Sequence, residues 1–349
     1  PNPWPGGWWR LGDAVAYNST ACKAVLEMAA RYTQELIFDK YRVASEVMAR
    51  FESEPPYGYI IPREQADRSS ARLLLERMMI NGIDVFEAGE AFEHNGIPYP
   101  AGTFVLPTSQ PFGLFLKNIF ERQSYPDLRD YSHLWQGLVN PEDWEGGPLR
   151  PYDGVGWTLP LQMGVESREK SSELAVDLTR LDAIEAEPVV ANGGSFVFSH
   201  TDNGSVTAAF SLLESGARVS WADAPFTLSG RSFPAGTYLV RGANLSRGEM
   251  RELADRTGLD FFAGNPGVAA TPLDLPRIGL HKAWVANMDA GWINYLFDSF
   301  GIPFRSVTNA EIRSGALIDR FDVLVFADQG AGQILEGHAV GTVPPDYVG

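Results

Sequence analysis

Residues Pro98–Leu106 read PYPAGTFVL, and the chain writes nearly the same nine letters again at Ser232–Val240, SFPAGTYLV. A shift of 134 residues carries Gly82 onto Gly216, Val85 onto Val219, Ala88 onto Ala222, Phe92 onto Phe226 and Gly96 onto Gly230. It also carries Pro100–Thr103 onto Pro234–Thr237, all without a gap. Upstream, the apolar triplets Tyr59-Ile60-Ile61 and Phe196-Val197-Phe198 correspond once about three residues are dropped from the second loop. A unit of about fifty residues is therefore expected twice.

Each part of that unit has a physical reading. An apolar strand leads through a polar loop into a helix whose apolar residues fall at three-to-four spacing (Leu73, Leu74, Met78; Ala208, Leu212), closed by Gly82 or Gly216. After Val85 and Val219 the pattern predicts a hairpin whose turns, Asn95-Gly96 and Ser229-Gly230, supply the positive φ that such turns need. In PAGT the proline ends one strand and the glycine permits a bulge or bend before the next. The fold expected is α/β, with two β-α-β-hairpin modules as scaffold.

Around these modules, Leu11 to Glu54 carries apolar residues at helical spacing (Val15, Cys22, Leu26, Ala29, Leu36, Tyr41, Val47, Phe51) and stops at Pro55-Pro56, which predicts one long helix or two. Tyr125 to Pro188 is rich in Pro, Gly and Trp, too aromatic for a flexible linker. From RIGLHKAW onward, strand and helix alternate like the first half of a doubly wound, flavodoxin-like parallel sheet. The boundaries expected are 1–54 (loop and helix), 55–124 (first module), 125–188 (connection), 189–266 (second module) and 267–349 (a parallel α/β domain that stops early). A start within a Pro/Gly/Trp loop, without Met, carries the expectation that something upstream is missing.

Composition removes several classes of function. The 349 residues, 44% hydrophobic and 21% charged, suit two or three domains. A formal charge of -16 repels phosphate backbones and anionic membranes, so nucleic acid is not an expected partner. No apolar run approaches the roughly 20 residues of a membrane span, and the opening PNPWPGGWWRL lacks the features of a signal peptide. Cys22 stands alone, which excludes internal disulfides and cysteine metal sites.

Local catalytic motifs are missing. None of the five histidines (His94, His133, His200, His281, His338) belongs to an HExxH, and there is no Walker loop, no GxGxxG after a strand and no GxSxG elbow. Glu90 and His94 fall in the predicted hairpin. Asp289 and Asp328 lie where predicted strands of the final domain end, the edge at which open parallel sheets bind ligands; a helix N-cap at Asp289 and a turn at Asp328 are the structural alternatives. The tryptophans (Trp4, Trp8, Trp9; Trp135, Trp144, Trp157) either stack on sugars or peptides or pack between domains.

Five stretches, NPWPGGWWRL (Asn2–Leu11), PYDGVGWTLPLQMGV (Pro151–Val165), WVANMDAGW (Trp284–Trp292), FDVLVFADQ (Phe321–Gln329) and GTVPPDYVG (Gly341–Gly349), resemble the region downstream of the catalytic domain in large bacterial zinc carboxypeptidase-like proteins. The resemblance spans nearly the whole chain. It implies a parent protein with a carboxypeptidase A-type domain, in which an HxxE pair and a distant His hold zinc and a Glu activates water to release the C-terminal residue of a peptide. By this resemblance those groups lie before Pro1, no catalytic or metal residue falls within the chain, and zinc belongs to the parent. The partners implied are the upstream peptidase domain and its peptide substrate, in a secreted or periplasmic setting. The last segment resembles a class I glutamine amidotransferase-like domain, but with only Cys22 it has no nucleophilic cysteine at the strand-to-helix turn. The expectation that follows is an accessory region, not catalytic on its own. The alternatives are a stand-alone peptide- or glycan-binding scaffold and a hydrolase using carboxylates at the strand ends of the last domain.

Overall fold

A computed structural model describes residues 6–131, 142, 146–149, 156–190, 194–242 and 245–349. Trp4, His133, Trp135 and Trp144 lie outside the described residues. The chain is a mixed α/β protein that divides into two units, Pro1–Arg63 with Leu74–Ala183, and Glu64–Leu73 with Ile184–Gly349.

The first unit begins with two helices, α1 (Leu11–Arg31) and α2 (Thr33–Ser53), broken at Tyr32, whose φ of -115° and ψ of 29° leave the helical range. Their spacing predicts an apolar stripe, yet α1 has no buried residue and α2 buries only Val47 and Phe51. Next come β1 (Gly58–Ile61), α3 (Arg68–Ile80), β2 (Phe86–Ala88), the hairpin β3 (Phe92–His94) and β4 (Ile97–Tyr99), and β5 (Phe104–Pro107). After α4 (Gly113–Phe120) and the short α5 (Leu159–Gln162), strands β6 (Arg168–Glu169) and β7 (Leu178–Arg180) complete an antiparallel sheet of order β6-β1-β5-β2-β7.

The second unit repeats this order of elements. It contains β8 (Ser195–Phe198), α6 (Gly204–Glu214), β9 (Arg218–Ala222), the hairpin β10 (Phe226–Leu228) and β11 (Arg231–Phe233), and β12 (Tyr238–Arg241). They are followed by α7 (Arg247–Thr257), β13 (Phe262–Ala263) and β14 (Ala270–Pro272). The sheet runs β13-β8-β12-β9-β14, again antiparallel throughout. The strand SFVF is apolar without alternation because both faces are covered. Phe196 and Phe198 pack with Ala208 and Leu212 of α6 and Leu253 of α7, while Val197 packs on the other face with Phe226 and Phe233 of the hairpin.

The PAGT segments have the same conformation in both sheets. Thr103 N–H donates to the Pro100 carbonyl at 3.3 Å and Thr237 N–H to the Pro234 carbonyl at 3.4 Å, so each is a β-turn. Both threonine hydroxyls donate to the same proline carbonyls at 2.8 Å. Gly102 N–H reaches the Ala88 carbonyl and Gly236 N–H the Ala222 carbonyl, each at 2.8 Å. Gly102 and Gly236 have φ of 80° and 87°, values a Cβ disfavours. The hairpin turns behave as their residues predict, with Asn95 and Gly96 at φ 54° and 75° and Ser229 and Gly230 at 51° and 78°.

Residues 68–73 of α3 belong with the second unit. The carboxylate of Asp202, 4% exposed, accepts from the N–H groups of Arg68 (2.9 Å), Ser69 (3.1 Å) and Gly204 (2.9 Å). Ser69 Oγ in turn accepts from Gly204 N–H at 2.9 Å. The first turns of α3 and α6 thus satisfy one another's free donors.

The second unit ends in a parallel sheet. Its elements are β15 (Ile278–His281), α8 (Met288–Phe300), β16 (Phe304–Val307), α9 (Asn309–Arg313), α10 (Leu317–Arg320), β17 (Val323–Val325) and α11 (Ala331–Leu335). The strand order is β16-β15-β17. Three parallel strands alternating with helices are what the pattern over this segment predicts.

Candidate functional site

Because β16 and β17 flank β15, the chain leaves the carboxyl end of β15 toward one side and returns from β17 on the other. That divergence opens a crevice in sheets of this kind. His281, the last residue of β15, is 7% exposed and lies at this edge. Its Nδ1 sits 3.3 Å from the Gln329 amide nitrogen and its Nε2 2.9 Å from the Asn309 amide oxygen. An amide NH2 only donates and an amide oxygen only accepts, so this pattern places the imidazole proton on Nε2. The Phe326 ring lies 5.0 Å away, centroid to centroid. Both ring nitrogens are engaged, so His281 ties together β15, the start of α9 and the loop after β17. Beside it, Gln329 Oε1 is buried without a hydrogen-bond partner among the described residues.

Asn287 performs a similar tie. Its Oδ1 accepts from Ala290 N–H at 3.0 Å, capping α8, and its Nδ2 donates to the Asp328 carbonyl at 2.8 Å. The helix cap is therefore Asn287, two residues before Asp289, the N-cap that the sequence offers as the structural alternative. Asp289 occupies the exposed first turn of α8, and Asp328 has an exposed side chain and contributes its backbone carbonyl. A cleft of about 290 Å³ opens here, lined by His281, Lys282, Asn287, Gly291, Asn294 and Ser306 among others; neither Asp289 nor Asp328 is in its wall. Its amides, hydroxyl and single ammonium suit holding a small polar molecule. Among the described residues no carboxylate lines it to move a proton.

Nucleophile and base residue types meet at a second place, in the first unit. His94 is 5% exposed; its Nε2 accepts from Ser171 N–H at 3.1 Å and lies 3.3 Å from the Ser171 hydroxyl. Burial holds the His94 pKa below the usual value, and the Lys170 ammonium adds to this. The acceptor lone pair is already taken by a backbone donor. The Ser171 hydroxyl is shared with the side chain of Asn95, at 2.9 Å and 3.2 Å. The cluster fastens the segment between β6 and β7 to the β3–β4 turn.

Of the remaining histidines, His200 follows β8 and His338 follows α11, each on a different segment. Among the described residues, no three His, Cys, Asp or Glu side chains gather in a way that could hold a metal ion. Cys22 is exposed on α1. No helix among the described residues is long and apolar enough to cross a membrane.

The sequence signals for the crevice were partial. Strand ends at His281 and Val325 are visible in the apolar pattern, but Asn309 and Gln329 lie 28 and 48 residues from His281, and no local motif links them. Comparison with protein-family models, with curated proteins and with solved structures gives no match.

Proposed function

We propose that the chain is an accessory region of a zinc metallocarboxypeptidase-like protein and is not catalytic on its own. The observation that supports this most is the helix pair at its start. Val15, Cys22 and Leu26 on α1, and Leu36 and Val43 on α2, recur at helical spacing, the pattern of a buried stripe, yet each is exposed. Large exposed apolar faces mark surfaces made to be covered. In this reading residues 1–54 close the peptidase domain, whose zinc ligands and general base lie upstream, and that domain covers α1 and α2. The antiparallel sheets then serve as scaffold, and 267–349 is a degenerate amidotransferase-like domain. A secreted or periplasmic location rests on the same resemblance.

The test uses the 349-residue chain beside a longer one that includes the upstream segment. Metal is measured by mass spectrometry after dialysis, release of C-terminal residues is assayed on blocked peptides, and hydrogen exchange is followed over residues 11–53. The expected result is no stoichiometric zinc and no release from the shorter chain, with stronger exchange protection of α1 and α2 in the longer one. One zinc per shorter chain, or release of residues that a chelator abolishes, would overturn the proposal.

A further inference from the structure

The two PAGT turns differ in what lies against their glycines. In the first sheet the Arg63 side chain runs over Gly102, close enough that an added Cβ would meet its Cδ and Nη1 at 2.8 Å. Arg63 Nη1 reaches Glu87 Oε1 of β2 at 2.7 Å, so the end of this sheet is closed by its own ion pair. In the second sheet the shorter His200 lies over Gly236, its ring 3.3 Å from where a Cβ would be. Glu87, opposite Phe104, has its counterpart in Trp221, opposite Tyr238. Instead of an ion pair there is an open cleft of about 440 Å³, lined by His200, Trp221, Ala222, Asp223, Gly236 and Tyr238.

We propose that this cleft binds the guanidinium of an arginine side chain presented by a peptide. The Trp221 side chain, 43% exposed, offers an aromatic face, the surface that best attracts a guanidinium. Asp223 is anchored by Thr271, whose hydroxyl donates to Oδ1 at 2.7 Å, and its second oxygen is without a partner among the described residues. Among the described residues no lysine or arginine lines the cleft, so anions find no counter-charge from them, while a formal charge of -16 on the chain favours cations. The inference does not depend on the accessory reading above.

The experiment is an NMR titration of the full chain with Nα-acetyl-arginine methylamide, read at the Gly236 amide and at the Trp221 indole N–H, the latter assigned with Trp221→Phe. A saturable shift with a Kd on the order of millimolar is expected, as for one weak contact set. Nα-acetyl-lysine methylamide should bind several-fold more weakly, since it cannot stack or pair in a plane. Asp223→Asn should weaken binding about tenfold. His200→Arg combined with Trp221→Glu should rebuild the ion pair of the first sheet and abolish the shift of Gly236, with the remaining amide spectrum unchanged as proof of folding. No saturable shift with the arginine probe would overturn the proposal. So would a stronger response to cellobiose, which would mark a glycan site, or full binding by either variant.

Discussion

The two five-stranded sheets share strand order, hairpin turn and PAGT turn, and they part company where side chains reach the ends of the strands. At matching places one has Tyr59, Arg63 and Glu87, the other Phe196, His200 and Trp221. Backbone devices that set φ or satisfy N–H groups are kept because each has few substitutes, whereas a side chain at a strand end answers only to its local neighbours. The shared part is scaffold, and the differing part is where recognition can arise.

The sharpest break in the comparison would come from the core. Phe196→Ala removes a fully buried ring that packs edge-on against Phe261, 5.5 Å between centroids, and should cost about 3–5 kcal/mol by urea denaturation. The corresponding Tyr59 contacts Phe120 at 4.8 Å and should be equally intolerant of alanine. Next in size is the capping contact. Asp202→Ala strands the backbone donors of Arg68 and Ser69, while Gly204 N–H keeps Ser69 Oγ, and should cost about 2–3 kcal/mol. Asp67 accepts from Ser70 N–H and from the hydroxyls of Ser69 and Ser70, so Asp67→Ala should cost only about 1 kcal/mol. Equal losses for the two would show that the carboxylates are interchangeable caps.

The PAGT glycines come third. Gly102→Val and Gly236→Val should each cost about 1–3 kcal/mol in thermal unfolding, from the positive φ alone. Gly102→Val should also displace the flexible Arg63 and break its pair with Glu87, while Gly236→Val presses on a ring. Unchanged melting temperatures in both would mean that the turn relaxes freely.

The smallest effect is a gain. The Tyr59 hydroxyl is buried without a partner among the described residues, and Phe196 stands in its place in the other sheet. Tyr59→Phe should therefore stabilise the chain by about 1 kcal/mol. Burial pushes the Tyr59 phenol well above its ordinary value, and the carboxylates of Glu169 and Glu121 push the same way. The folded chain then binds this proton more tightly than the unfolded chain. Stability should be intact below the ordinary phenol value of 10.0 and fall as pH rises past it. That alkaline slope should be shallower in Tyr59→Phe, although burial of Tyr99 and Tyr238 raises their values too and leaves a residual slope.

Much of the scaffold was legible because turns and periodicity are local. Asn95-Gly96, Ser229-Gly230, PAGT and the helix-ending glycines each act within four residues of chain. The edge strands β6, β7, β13 and β14 were not, since two or three residues such as Arg168–Glu169 carry no alternation and owe their conformation to the strand beside them. The crevice was half legible: an apolar strand marks its edge at His281, but the amides that fix the ring come from separate loops. The pattern over Leu11 to Glu54 located helices correctly while saying nothing of what covers them. Spacing reports a face, and only a partner makes that face an interior.

The Asp202 contact has a consequence for the time course of synthesis. Asp202 follows Arg68 by 134 residues, so at about 5–20 residues per second the ribosome takes on the order of ten seconds to make the group that caps α3. During that interval the residues that close the end of α3 in the folded chain, where Ile83 N–H meets the Met78 carbonyl at 3.0 Å, are already made, while for its first turn Asp67 is the carboxylate at hand. The helix is thus finished at its front last. A pause in translation between β5 and β8 would lengthen the life of a half-capped α3, and a chain stopped before residue 202 would never complete it.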